Sequence, residues 1–164
     1  MGDTEFDRVL AENDRYAESF DRSALTAAPL RHLAVVACMD ARLNVEAALG
    51  LRPGEAHVIR NAGGLATEDV IRSLIVSQQL LGTDEVIVIG HTGCGLLGAD
   101  EDALRDRLTA ATGDAIDIGF GSFDHLEASI QASVEHLRRH PWLKRGPVHG
   151  LIFDVTTGRL REVA

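Results

Sequence analysis

The two cysteines of this chain stand in short motifs that each follow an apolar run. One motif is Cys-Met-Asp-Ala-Arg at 38–42, and the other is His-Thr-Gly-Cys at 91–94. Two thiolates and one imidazole fill three corners of a tetrahedral zinc site, and a fourth corner left to water is typical of catalytic zinc. The motifs therefore predict a zinc hydratase or hydrolase whose metal ligands are Cys38, His91 and Cys94. The alternatives are one disulfide, or two buried thiols beside a hydrogen-bonded loop histidine.

Asp40 and Arg42 follow Cys38 at two and four residues, so in an extended segment all three side chains point to the same side. Two roles are open for Asp40 beside a metal: it closes the site as a fourth ligand, or it accepts a hydrogen bond from the attacking water. Arg42 would keep that carboxylate ionised and away from the metal. Without a metal, the same two residues would form an ordinary surface ion pair. We take Asp40 and Arg42 as the candidate catalytic residues.

Strand-like runs alternate with helical patterns along the chain, which predicts an α/β fold. The helical patterns lie at 4–20, 45–49, 67–81, 100–111 and 126–140, and the strands at 32–37, 56–59, 85–89 and 148–155, with a short last strand at 159–163. We expect a mainly parallel four-stranded sheet in the order 2-1-3-4, with helices on both faces and the last strand antiparallel at the edge. Ligands in such sheets bind beyond the carboxyl ends of the strands, where the strand order reverses. Cys38 ends the first strand, and His91 and Cys94 follow the third, so this topology predicts that the three ligands converge.

Two further segments bear on the site and on assembly. Arg60 and Asn61 open a glycine-rich loop at 60–64, where they either brace the site or a subunit contact, or only pin the loop.

The helix at 67–81 is apolar nearly all round, which predicts that it is mostly buried. Together with an N-terminal helix that precedes the first strand, this apolar surface exceeds what one small sheet covers. We therefore expect a homodimer or a dimer of dimers, since symmetric pairs are the commonest assemblies.

Two other motif matches are weaker. Residues 93–98 fit Gly-x-Gly-x-x-Gly after a strand, which is the dinucleotide fingerprint. They follow the third strand, however, and no strand leads to an acidic residue about 20 positions later. The spacing from Cys38 to Arg42 also invites comparison with a cysteine-phosphatase loop, but three intervening residues are too few to wrap a phosphate. Zinc is favoured over a nicotinamide cofactor and over a phosphatase cysteine.

Length and composition limit the remaining classes. The 164 residues suit one domain spanning 1–164, with 1–30 as an N-terminal helical arm. The net charge of −9 argues against a nucleic-acid-binding protein, which needs a concentrated basic surface. No apolar stretch approaches the roughly 20 residues that span a bilayer, and the first 20 residues are too acidic for a signal peptide. We expect a cytoplasmic protein, in a compartment where thiols stay reduced.

The combination of Cys-x-Asp-x-Arg at 38–42 with His-x-x-Cys at 91–94 resembles the β-class carbonic anhydrases. Arg-Asn-Ala-Gly at 60–63 and Glu-Asp-Val-Ile-Arg-Ser-Leu at 68–74 look like the same family, and the similarity runs from about residue 31 to the last strand. In its short length and in the residues of its first motif, Cys-Met-Asp-Ala-Arg, the chain resembles the compact bacterial and archaeal branch of the family.

This resemblance implies a zinc lyase, a carbonate dehydratase, that converts CO₂ reversibly to bicarbonate and a proton. It implies that Cys38, His91 and Cys94 bind zinc and that Asp40 and Arg42 form an orienting dyad. It also implies a homodimer or homotetramer, with active sites near the subunit contact and the N-terminal helix lying on the partner.

The chain departs from the family pattern in two places. Regulated members pair a closed site with a bicarbonate pocket that includes a tryptophan shortly before the first cysteine. Here residues 34–37 are Ala-Val-Val-Ala, so we expect that pocket to be missing. Leu96 replaces the methionine often found after Cys-Gly, a change of shape rather than of chemistry.

The same branch also resembles hydrolases of carbonyl sulfide and carbon disulfide that use matching ligands. The motifs do not separate these substrates from CO₂. A non-catalytic protein that binds zinc and bicarbonate is a third alternative, against which the intact Asp40 and Arg42 argue.

Overall fold

A five-stranded sheet organises the fold. The computed structural model describes residues 4–20 and 25–164. Its strands are β1 (Leu33–Cys38), β2 (Ala56–Asn61), β3 (Glu85–His91), β4 (Val148–Phe153) and β5 (Leu160–Glu162). They lie in the order β2-β1-β3-β4-β5, with β1 to β4 parallel and β5 antiparallel to β4. The predicted α/β fold and strand order are confirmed.

The helices are α1 (Glu5–Glu18), α2 (Val45–Leu49), α3 (Glu68–Gln79), α4 (Glu101–Thr112) and α5 (Leu126–Arg139), and a 3₁₀ turn spans Ala62–Gly64. Side chains cap the first turn of α1 to α4, whereas α5 begins without a side-chain cap. Thr4, Thr67 and Asp100 each accept a hydrogen bond from a backbone N–H in the first turn of α1, α3 and α4. Such N–H groups have no partner within the helix, so a cap fixes the helix start. No helix in residues 4–20 and 25–164 is both long and apolar enough to cross a bilayer.

Helices cover both faces of the sheet, as predicted. All six residues of β1 are buried, and successive side chains of a strand point to opposite faces. Ala34 and Val36 belong to a core that α3 and α5 complete on one face. Val35 and Ala37 belong to a second core that α2 and its flanking residues complete on the other. The inner strand is therefore fixed from both sides, which holds its carboxyl end in place.

Every strand differs from its predicted bounds by one or two residues, and the causes are visible at β2 and β4. Arg60 and Asn61 do not open a loop but continue β2, opposite Ala37 and Cys38 of β1. The pairing continues because the N–H of Met39 still donates to the carbonyl of Asn61 at 2.8 Å. β4 stops at Phe153 instead of 155, because the Asp154 carboxylate accepts two backbone N–H groups and turns the chain.

The prediction that the helix at 67–81 is mostly buried is wrong. The helix ends at Gln79, and its buried residues, among them Val70, Ile71 and Leu74, form one face. Val76 is 39% exposed and Leu80 is 76% exposed, because only one side of a helix can contact the sheet. An apolar strip of α3 thus stays uncovered in the single chain.

The predicted N-terminal helix is present as α1, which ends at Glu18 rather than at 20. None of its residues is buried, although Phe6, Val9 and Leu10 are apolar and at least 49% exposed. Part of the predicted linker, residues 21–24, lies outside the described residues.

Candidate metal site

Cys38, His91 and Cys94 converge at one edge of the sheet. Cys38 ends β1, His91 ends β3, and Cys94 lies in the turn that follows β3. Because β1 and β3 are parallel neighbours, their carboxyl ends lie side by side. The two sulfur atoms and one ring nitrogen of His91 all lie within 4.8 Å of one another, and all three residues are buried. The convergence expected from the strand order is present.

His91 offers one nitrogen that no group in the described part of the chain uses. Its Nδ1–H donates to the carbonyl of Thr92 at 3.0 Å, so the lone pair is on Nε2. Within residues 4–20 and 25–164, buried Nε2 has no hydrogen-bond partner. A buried polar atom without a partner costs about 1–3 kcal/mol. A backbone contact at Nδ1 is also the arrangement by which histidines that bind metal through Nε2 are oriented.

The two cysteines also suit a cation. Both are free thiols, so the structure does not contain the alternative disulfide. Burial raises the pKa of the Cys94 thiol, and nearby Cys38 raises it further. A pair of buried thiolates therefore needs a positive partner, and zinc accepts two sulfurs and one imidazole. The donor set fits zinc and leaves one position for water.

Asp40 lies beside this set in a fixed orientation. Its Oδ1 accepts from the backbone N–H and from Nε of Arg42, both at 2.9 Å, and its Oδ2 accepts from Nη2 at 2.7 Å. The same Nη2 donates to the carbonyl of Gly93 at 2.9 Å. These hydrogen bonds from Arg42 hold the pKa of Asp40 well below its usual range. Oδ2 is 3.7 Å from Nε2 of His91, so an ionised acceptor faces the place that a metal would occupy.

Two glycines let the turn after β2 approach the ligands. Gly64 has φ +65°, and a Cβ at this position would lie 2.9 Å from both the Cys38 nitrogen and the Ile89 carbonyl oxygen. Asn61 shapes the turn, because its side chain accepts from the N–H of Leu65 and donates to the carbonyl of the same residue. Neighbouring Gly63, at φ +81°, lines the opening of the site.

A cavity of about 450 Å³ opens over the site. Its walls are mostly apolar or glycine, and Asp40 is the one ionisable side chain there besides the two cysteines. The lining residues are Cys38, Met39, Asp40, Ala41, Ala62, Gly63, Cys94, Gly95 and Leu96. The site is therefore suited to a small uncharged molecule more than to an anion.

Sequence reasoning missed some contacts of the site and left others open. The carbonyls of Thr92 and Gly93 orient His91 and Arg42, and no pattern of side chains signals them. Arg60, which the sequence places either as a brace of the site or as a pin of its own loop, donates hydrogen bonds to the carbonyls of Cys38 and Asp40. The glycine pattern at 93–98 forms turns, and α4 begins only at Glu101, so no helix start follows it at once as dinucleotide binding requires.

Comparisons with known proteins find relatives in both sequence and structure. The sequence profile described as "Carbonic anhydrase" matches residues 33–160. Beta-carbonic anhydrase 1 of Mycobacterium tuberculosis is 43% identical over 158 residues, which cover 96% of each chain. The carbon disulfide hydrolase of Acidithiobacillus thiooxidans is 38% identical, and the match covers 80% of this chain and 76% of that protein.

Among solved structures, the carbonic anhydrase from Streptococcus mutans superposes with a TM-score of 0.94. It is 38% identical in sequence, and the match covers 100% of both chains. The likeness in sequence and in fold thus extends well beyond the motifs.

Proposed function

Because the chain belongs to the β-carbonic anhydrase family, we propose that it catalyses the reversible hydration of CO₂ to bicarbonate and a proton. One observation carries the proposal: Nε2 of His91, which has no hydrogen-bond partner among the described residues, lies beside two buried thiols and 3.7 Å from a carboxylate that Arg42 holds in place. The reaction needs metal ligands and an ionised group that accepts a hydrogen bond from water, and it needs them side by side.

Cys38, His91 and Cys94 would hold the zinc. When bound, zinc supplies a Lewis acid that makes water nucleophilic near neutral pH. Three protein donors would leave one corner of a tetrahedral zinc to water, as in catalytic rather than structural zinc sites.

Asp40 would orient the attacking water. An ionised carboxylate can only accept hydrogen bonds, so it takes one O–H of the water and turns a lone pair toward the carbon of CO₂. Arg42 occupies both carboxylate oxygens and is itself tied to Gly93. The carboxylate therefore keeps one orientation through the reaction, and Arg42 also holds it back from serving as a fourth ligand.

The cavity supports an uncharged substrate. Met39, Ala41 and Leu96 offer CO₂ an apolar approach, whereas bicarbonate would meet the negative charge of Asp40. This difference favours release of the anionic product.

The experiment joins zinc analysis to stopped-flow hydration of CO₂ with a pH indicator. Protein purified without added metal should hold about one zinc per chain and hydrate CO₂. The variant Cys94→Ser should lose most of its zinc and most of its activity together, with circular dichroism showing that the fold persists. Unchanged zinc in Cys94→Ser would remove this cysteine from the donor set.

Hydrolysis of carbon disulfide or carbonyl sulfide is the second candidate. It is favoured by the 38% identity to a carbon disulfide hydrolase and by the apolar cavity over the site. Offering each gas in turn and recording sulfide release separates it from CO₂ hydration. Zinc without turnover of any of the three would instead indicate a binding protein.

We also propose that the chain forms a homodimer or a dimer of dimers, with residues 1–30 as an arm that reaches a partner. Two uncovered apolar surfaces support this. One is the outer face of α1, and the other is a groove of about 890 Å³ lined in part by Ile71, Ile75, Val76 and Trp142. Each would be covered by the other in a symmetric pair.

The location that suits this chemistry is the cytoplasm. Cys38 and Cys94 act as metal ligands only in the reduced state, which a reducing compartment maintains. Fractionation of cells that express the protein would check this location.

A further inference from the structure

We propose that Arg60 is a positioning residue: it fixes the segment that carries Cys38 and Asp40, and thereby the point at which Asp40 accepts its hydrogen bond. This inference rests on the hydration activity proposed above. It starts from a residue on the edge strand β2, opposite Ala37 of β1.

The guanidinium of Arg60 donates to two main-chain carbonyls of the site. Its Nε and Nη2 donate to the carbonyl of Cys38 at 2.9 and 2.8 Å, and Nη2 also donates to the carbonyl of Asp40 at 2.7 Å. A planar guanidinium has several donors in a fixed fork, so one side chain can hold both carbonyls at once. A lysine has no such fork.

The two carbonyls flank Met39, where the regular pairing of β1 with β2 comes to its end. The N–H of Met39 still donates to the carbonyl of Asn61. Beyond it the chain turns, and the Asp40 carbonyl accepts the N–H of Leu43 at 3.1 Å. That bond lies within the loop, whereas Arg60 ties the loop to a neighbouring strand.

Asp40 is thus held from two sides. Arg42 connects its carboxylate to the carbonyl of Gly93, in the turn after β3. Arg60 connects its backbone to β2 on the opposite side of β1. Among the described residues Arg60 makes no ion pair with a carboxylate, so its donors serve these carbonyls.

The expected consequence is kinetic. A misplacement of about 1 Å at a reacting group can cost about 100-fold in rate. A loosened Asp40 would impair the chemical step more than the entry of CO₂, so kcat should fall while KM changes little.

The test compares three variants of the zinc-loaded protein. Arg60→Met keeps the length of the stem and removes the donors, and Arg60→Lys keeps the charge and removes the fork. Arg161→Met is the matched control, because Arg161 is an exposed arginine on the other edge strand, β5, and pairs with Glu127. The readouts are zinc content, kcat and KM per bound zinc, and hydrogen exchange of the Met39 amide by NMR.

Arg60→Met should keep its zinc, lose about 10- to 100-fold in kcat with KM within about twofold, and exchange the Met39 amide faster. Arg60→Lys should recover only part of the loss, and Arg161→Met should match the wild type. Wild-type kcat per bound zinc in Arg60→Met would overturn the proposal, and so would a loss of zinc alone. If the wild type itself does not hydrate CO₂, the proposed function fails instead, while the exchange of Met39 still shows whether Arg60 holds the segment.

Discussion

At the scale of single residues, the site depends on which atoms are already engaged. Both oxygens of Asp40 are engaged by Arg42, so the carboxylate is fixed and ionised. Nε2 of His91 has no hydrogen-bond partner among the described residues, which is why we propose it as a metal ligand. These contacts indicate different roles for the two residues: Asp40 is held so that it can orient a water molecule, and His91 is free to bind a metal.

We expect Asp40→Asn to keep zinc and to lose about 100-fold or more in kcat. The amide presents donors as well as one acceptor, so it can turn an N–H toward Arg42 or the water and spoil the orientation. Stopped-flow hydration with zinc analysis measures this. The control is Asp102→Asn, an exposed carboxylate paired with Arg105, which should behave as the wild type; equal rates in both variants would exclude Asp40 from the mechanism.

The residue types of the site could be predicted from the sequence, but their partners could not. Two cysteines, a histidine and an acid–base pair at fixed spacing predict a zinc site because few other chemistries use that set. The carbonyls of Thr92 and Gly93 that orient His91 and Arg42 are not predictable in this way, since every residue has a carbonyl.

At the scale of elements, the 3₁₀ turn at Ala62–Gly64 brings Gly64 against the backbone of Cys38 and Ile89. Gly64→Ala should destabilise the zinc-loaded protein by about 2–4 kcal/mol, since left-handed strain costs about 1–2 kcal/mol and overlap with Cys38 and Ile89 adds to it. Gly50→Ala is the control, because Gly50 has φ +62° with nothing within 4 Å of its Cβ position. Gly50→Ala should therefore be destabilised only by the left-handed backbone strain, about 1–2 kcal/mol. Urea unfolding gives both values, and equal losses would show that the close approach at Gly64 is unimportant.

The carboxylate of Glu101 in α4 binds the segment 113–125 between α4 and α5. Glu101 accepts the N–H groups of Ser122 at 2.7 Å and Phe120 at 3.2 Å, and these bonds lower its pKa from 4.5 to about 2. A lowered pKa in the folded state stabilises the protein above the unfolded value, and this stabilisation is lost as the pH falls from 4.5 toward 2.

Glu101→Gln should therefore lower Tm at pH 7, and its difference from the wild type should shrink as the pH falls below about 4.5. Thermal unfolding at a series of pH values measures the difference. Glu127→Gln alters an exposed pair with Arg161 and should give a small difference at pH 7. A Tm difference for Glu101→Gln that stays constant down to pH 3 would contradict a stabilising role for the ionised Glu101 carboxylate.

Helices and strands with a strong periodic pattern could be predicted from the sequence. The residues at which they end, and the side chains that they leave exposed, could be predicted less well. The strand order follows from alternating strands and helices. The end of β2 is predicted less well, because the glycines after Asn61 indicate a loop that begins at Arg60, whereas the strand includes both Arg60 and Asn61. The apolar pattern of α3 shows what the helix can bury, but not that one chain covers only one of its faces. The tie at Glu101 joins residues about 20 apart with no periodic signal between them.

At the scale of the whole molecule, the uncovered faces of α1 and α3 predict association. Phe6→Asp should weaken the dimer without unfolding the chain, because Phe6 is 68% exposed in the single chain. Deletion of residues 1–20 should do the same and lower activity. Light scattering coupled to gel filtration measures the mass, with Ile118→Asp, at an apolar residue 58% exposed in the segment 113–125, as the control. A stable, active monomer of the wild type at micromolar concentration would contradict this assembly.

The most direct test of the central claim is CO₂ hydration measured by stopped flow on preparations that differ in zinc content. If Cys38, His91 and Cys94 hold the catalytic zinc, the rate per chain should rise in proportion to bound zinc and level off at one zinc per chain. Hydration that does not depend on zinc, or a full complement of zinc without hydration, would contradict the claim.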